Sequence, residues 1–170
     1  MKREYPDRPI VGVGAIIIRG EEVLLARRGR EPGYGKWSIP GGGVKLGETL
    51  EEAVIREVRE EVNLAIRVEE RVEVLERIFR DSEGKVQYHY VLVDFLCERL
   101  SGEARPSSDA LEVQWVPICE IPHHPLPGKT KKVIQKAFGM RQRRKEKEKC
   151  QMSNDKGQSS KFEIPVKAEK

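Results

Sequence analysis

Gly41-Gly42-Gly43-Val44-Lys45-Leu46-Gly47-Glu48-Thr49-Leu50-Glu51-Glu52-Ala53-Val54-Ile55-Arg56-Glu57-Val58-Arg59-Glu60-Glu61-Val62-Asn63-Leu64 is the stretch from which the rest of the chain is read. A glycine loop runs into a helix expected over 49–62: Thr49 with Glu52 three residues on forms a capping box, and Leu50, Ala53, Val54, Val58 and Val62 recur at helical spacing. Asn63 is a suitable left-handed stop. At about 100° per residue, Glu57, Glu60 and Glu61 fall within one arc of that helix. Carboxylates so placed repel one another, and the C-terminal end of the helix dipole opposes them further. A hard divalent cation removes the conflict, because Mg²⁺ prefers carboxylate and carbonyl oxygens. An isolated E-x-x-E-E can be a solvated face. The preceding glycines alter that balance, since Gly41, Gly42 and Gly43 leave backbone groups open to a metal or a phosphate. Arg56 can orient a neighbouring carboxylate such as Glu48 by a two-pronged bond.

Outward from this stretch, residues 10–18 and 23–26 form two apolar, β-branched runs around a short Gly-containing turn, a hairpin pattern. The unbroken apolar character of the first run predicts a strand covered on both faces. A Gly- and Pro-rich loop, 29–36, leads to a short strand at Trp37-Ser38-Ile39 that Pro40 and the glycines end. Segments 64–80 and 85–98 read as a long hairpin turned at 81–84. A polar loop at 101–112, a strand at 113–116 and an amphipathic helix at 129–138 follow. No internal repeat is visible.

The 170 residues suit one domain with an appendage. Charge divides the chain in the same way. Residues 141–170 carry ten Lys/Arg against five Asp/Glu, net +5, whereas residues 1–140 carry 22 against 23, net −1. The domain is therefore expected over 1–140, with 141–170 a basic, largely disordered tail that has little apolar spacing. No run approaches the roughly 18 apolar residues of a spanning helix, and the polar N-terminus lacks a signal-like stretch, so a cytoplasmic protein is expected. Cys97, Cys119 and Cys150 are widely spaced and form no C-x-x-C pair, which argues against a disulfide framework or a structural zinc site.

Gly42-x5-Glu48-x7-Arg56-Glu57-Val58-x-Glu60-Glu61-x-Asn63-Leu64 resembles the Nudix box, G-x5-E-x7-R-E-U-x-E-E-x-G-U with U aliphatic. The one departure is Asn63 in place of Gly, a mild change because Asn tolerates a left-handed backbone. The resemblance extends over roughly 9–138 and leaves the tail out. It implies an α/β fold, an α/β/α sandwich with a mixed β-sheet between helices, and Mg²⁺-dependent hydrolysis, with Mn²⁺ as a substitute, of a nucleoside diphosphate linked to another moiety. By position match, Glu57, Glu60 and Glu61 are the implied metal ligands, Gly41 adds its carbonyl, and Glu48 and Arg56 support the loop and helix.

A further acid from a later loop is expected by the same resemblance. Glu103, Asp109 and Glu112 are candidates, with Glu112 favoured because it lies just before a strand. Arg27, Arg28, Gly42 and Gly43 are the candidate phosphate contacts. Trp37 reads as core packing, and His123 and His124 as ordinary loop histidines. The expected partner is a nucleotide-type small molecule, and a homodimer is left open. No membrane is expected, and nucleic acid only through the basic tail. ADP-ribose or a similar nucleotide sugar is the favoured substrate, although the proline that the ADP-ribose subgroup usually carries past the box is missing between Leu64 and Pro106. Modified nucleoside triphosphates are the alternative, and a nucleotide-sensing or RNA-associated binding module is a third reading from another class.

Overall fold

The computed structural model describes residues 3–107 and 109–158. The chain divides into two compact units, Met1–Ala137 and Phe138–Lys170. In the first unit the strands are β1 (Ile10–Arg19), β2 (Glu22–Arg28), β3 (Trp37–Ser38), β4 (Gly41–Gly43), β5 (Leu64–Arg80), β6 (Val86–Gly102) and β7 (Ala110–Pro117). Helix α1 covers Leu50–Val62, and α2 runs Gly128–Gln158 across the division between the units.

The sheet is mixed, in the order β3-β2-β1-β6-β5, with β4 paired to β1 and β7 to β2. β1 runs parallel to β6, with Gly14 opposite Asp94, and the other pairings are antiparallel. Residues alternate between the two faces of a strand, so Val13, Ala15 and Ile17 of β1 share one face with Val93, Phe95 and Cys97 of β6. That face joins Ala53, Val54, Val58 and Val62 of α1 in the core. The opposite face carries Ile10, Tyr90 and, across the next pairing, Arg77. Arg77 donates to Thr130 Oγ1 of α2 at 2.9 Å, which puts the start of α2 on the side away from α1. The sandwich expected from the sequence is therefore present, and β1 is buried on both sides along most of its length.

Each end of α1 is fixed by the residues the sequence singled out. Thr49 accepts from the Glu52 amide, while its own amide donates to Glu52 Oε2 at 2.8 Å. Asn63 adopts φ 59° and ψ 35°, and its amide closes on the Arg59 carbonyl. The 81–84 turn is held by Asp81 Oδ1, which accepts from the amides of Glu83 and Lys85, and Gly84 takes φ 80° there.

Two features differ from expectation. The three glycines after Pro40 form strand β4 against Val13 and its neighbours rather than an open loop. Residues 141–158 continue helix α2, so the helical backbone reaches well into the segment read as tail. The rest of that expectation falls on 159–170, outside the described residues. Among the described residues no helix is long and apolar enough to cross a membrane.

Candidate active site

Arg56 is the hub of the box. Its guanidinium forks onto Glu48, with Nε on one carboxylate oxygen and Nη2 2.8 Å from the other. Nη2 also donates to the Gly43 carbonyl at 3.0 Å, and Nη1 to Glu57 Oε1 at 2.6 Å and Glu60 Oε2 at 3.2 Å. One partly buried cation thus joins β4, the loop after it and α1. The Arg56 fork, with help from the Lys45 amide, lowers the Glu48 carboxyl to about 2.

The three acids of the arc have different surroundings. Glu60 is half exposed, 3.8 Å from Lys45 Nζ. Glu57 lies against Gly42, where a Cβ would come within 2.3 Å of its carboxylate and displace it. Glu61 is on the buried face of α1, only 6% exposed, and accepts the Gly41 amide at 2.8 Å. Burial pushes its carboxyl up to about 7, with Glu57 and Asp109 adding to the rise against the pull of the Gly41 amide and Arg28.

Glu57 and Glu61 line an open cleft together with Gly41, Gly42, Asp109, Arg3, Arg28 and Arg30. Three acids and three arginines thus line one cleft, with Arg30 and Asp109 paired at 2.6 Å. The donor set fits a hard divalent cation: carboxylates and a backbone carbonyl, one of the carboxylates buried and short of positive charge. Among the described residues no three acidic, histidine or cysteine side chains are gathered into a ready-made ligand cluster, and Arg56 holds both Glu57 and Glu60.

Outside the box, the structure separates the candidates. Asp109 is in the cleft, its carboxylate 2.6 Å from Arg30 and its carbonyl accepting the Gly29 amide at 2.8 Å. Glu112 does not line the cleft; it sits on β7 opposite Arg27, in an exposed pair at 3.6 Å. Glu103 pairs with Arg105 on the surface. Arg28 lines the cleft, with Nε on the Pro32 carbonyl, whereas Arg27 turns to the Gly35 carbonyl and Glu112. A register shift between Arg27 and Arg28 separates the two. Gly42 borders the cleft, and Gly43 contributes its carbonyl to Arg56. Trp37 packs edge-on to His124, ring centroids 5.5 Å apart. Arg3 and Arg30 were not among the expected contacts. Arg30 had a signal in its two-residue spacing from Arg28; Arg3 had none.

The sequence matches the family described as NUDIX domain over residues 8–137. The chain belongs to the NUDIX family. Among its Nudix hydrolase relatives, an ADP-ribose pyrophosphatase of Methanocaldococcus jannaschii is 34% identical over 114 residues, 67% of this chain and 65% of that protein. A protein of Pseudomonas aeruginosa named NAD-capped RNA hydrolase NudC is 39% identical over 114 residues, 66% of this chain and 37% of that protein. The chain thus spans less than two thirds of the length of either relative. The crystal structure of a MutT NUDIX hydrolase from Burkholderia pseudomallei superposes with a TM-score of 0.67 at 32% identity, covering 76% of this chain and 98% of that one. The family match begins at residue 8, so Arg3 is the one cleft arginine outside it.

Proposed function

We propose that this Nudix hydrolase cleaves the phosphoanhydride of a nucleoside diphosphate joined to another moiety, with ADP-ribose or a similar nucleotide sugar as the substrate and Mg²⁺ as the metal. The observation that carries this reading is a single cleft lined by Glu57, Glu61 and Asp109 together with Arg28 and Arg30. Glu57, Glu60, Glu61 and the Gly41 carbonyl would hold the metal, which supplies charge neutralisation at the phosphate oxygens and a more acidic water. Arg56, through Glu48 and the Gly43 carbonyl, keeps the glycine backbone and α1 in one geometry. Arg28 and Arg30 hold the phosphates. Glu60, the most exposed of the three glutamates, would take the proton of the attacking water on its carboxylate. The name of the archaeal relative supports the sugar-linked substrate. We place the activity in the cytoplasm, where nucleotides are abundant and exposed thiols such as Cys119 and Cys150 stay reduced.

The test is a product screen with Mg²⁺ across nucleotide sugars, dinucleotides and nucleoside triphosphates. Release of AMP and ribose 5-phosphate from ADP-ribose, abolished by EDTA, is the expected result. Pyrophosphate release from triphosphates alone would replace it with the nucleotide-cleansing reading, and no product from any class would remove the enzymatic one.

A further inference from the structure

Arg3 precedes the stretch that matches the family, yet it lines the cleft with Glu57, Glu61 and Asp109. A residue in such a leading segment keeps a fixed place only if its neighbours are tied down. Here they are. The Tyr5 amide donates to the Gln87 carbonyl at 2.8 Å, and the Tyr5 hydroxyl donates to Asp81 Oδ2 at 3.0 Å. Lys85 Nζ lies 4.9 Å from the centre of the Tyr5 ring, and Gln87 Nε2 donates to Glu4 Oε1 at 2.8 Å. These contacts latch residues 4 and 5 to the β5–β6 turn and the start of β6. Tyr5 itself has φ 49°, an unfavourable value for a bulky side chain, which persists because the latch determines it.

The other end of the segment reaches the cleft. Arg3 and Arg28 line the same cleft, and the charge of each favours ionisation of the Tyr90 hydroxyl against its burial. The cleft arginines differ in what they hold. Arg30 is engaged by Asp109, and Arg28 is anchored on the Pro32 carbonyl. Among the described residues Arg3 has no hydrogen bond or ion pair on its guanidinium. A cation at the cleft without a protein partner is a ready anion contact, and guanidinium geometry favours the paired oxygens of a phosphate.

We propose that Arg3 binds a non-bridging oxygen of the substrate's diphosphate, with Tyr5 as the residue that positions it. The assignment rests on reading the cleft as a diphosphate site. In the absence of turnover, its probe is calorimetric titration of the full chain with ADP-ribose in calcium, together with steady-state kinetics in Mg²⁺. Arg3→Gln should weaken ADP-ribose binding about tenfold, the size of one charged hydrogen bond. KM should rise with it and kcat change far less, and Arg3→Lys should recover part of the loss. Tyr5→Phe, which removes only the hydroxyl, should weaken binding to a smaller degree. Because it acts through Arg3, the Arg3→Gln/Tyr5→Phe double variant should bind no worse than Arg3→Gln. Equal affinity for wild type and Arg3→Gln, full additivity in the double variant, or failure of wild type to bind ADP-ribose would overturn the assignment. Hydrolysis of ADP-ribose with Arg3-independent binding would leave the proposed function standing and remove Arg3 alone. Arg3-dependent binding without hydrolysis would do the reverse.

Discussion

Glu61 is the acid that α1 buries, and its position sets stability against activity. A carboxylate 6% exposed, with one backbone donor, is costly to ionise, and its carboxyl is accordingly pushed up to about 7. Glu61→Gln keeps an oxygen for the Gly41 amide and removes the buried charge. In metal-free buffer at pH 8 the variant should therefore melt a few degrees above wild type. Its turnover should fall by about a thousandfold, the kinetic equivalent of several kcal/mol of lost charge stabilisation. Melting curves and initial rates on one preparation check both halves, and an active Glu61→Gln enzyme would remove the acid from the metal shell.

A second buried acid gives a pH prediction. Asp94 lies opposite Gly14, where a Cβ would come within 2.3 Å of its Oδ1, and burial pushes its carboxyl up to about 6 despite the charge of Arg77. A folded-state value above the unfolded one means the stabilising effect of the protonated form is complete at low pH and is lost as pH rises through about 6. Stability of the metal-free chain should thus decline between pH 5 and pH 8, with Glu61 contributing in the same direction. His124, lowered by burial, works the opposite way in that window, and Glu48, at about 2, stays ionised throughout. Asp94→Asn should flatten the decline over this window by an amount on the order of 1 kcal/mol, because part of the loss has already occurred below pH 5, above the unfolded carboxyl's own value. Urea midpoints of both proteins at the two pH values would show it; parallel slopes would mean that Asp94 does not titrate there.

At the scale of elements, α1 was legible because its information is local. The capping box, apolar spacing and left-handed stop are all formed by residues within one or two turns of each other, and the structure has each of them. Asn63→Gly should be close to neutral for activity and within about 1 kcal/mol of wild type in stability, on the stabilising side. The native side chain contributes only a long 3.5 Å contact to the Glu103 carbonyl, so a large loss of activity would reveal a role for that amide. Strand β4 was not legible, since three glycines carry no strand preference; it exists because β1 offers a pairing edge at 12–14. The separation of Arg27 from Arg28 depends on a bulge, and that of Asp109 from Glu112 on how the 103–109 loop docks. That loop is fixed by tertiary bonds, Arg105 N to the Val62 carbonyl and Ser107 N to the Glu61 carbonyl. Neither bond has a counterpart in spacing along the chain, so the pattern offered Glu103, Asp109 and Glu112 and favoured Glu112, whereas Asp109 is the one that lines the cleft.

At the scale of the whole molecule, chemistry and charge occupy different parts of the chain. The cleft draws on residues 3 to 109, and the last buried apolar side chains of the first unit are Val133, Ile134 and Ala137. The segment 141–170 carries net +5 and the residues before it net −1. Truncation after Met140 keeps every one of these residues, so kcat and KM on the best diphosphate substrate should match those of the full chain. A binding role for the basic segment predicts something different, because phosphate contacts by Lys and Arg weaken steeply as salt rises. RNA retardation should therefore be measured on the 170-residue and 1–140 chains side by side, at two salt concentrations. The enzyme reading expects unchanged turnover and no salt-sensitive RNA binding by either chain. Tight, salt-sensitive binding that vanishes on truncation would give the basic helix a polyanion partner, and a collapse in turnover would place part of the catalytic unit beyond residue 140.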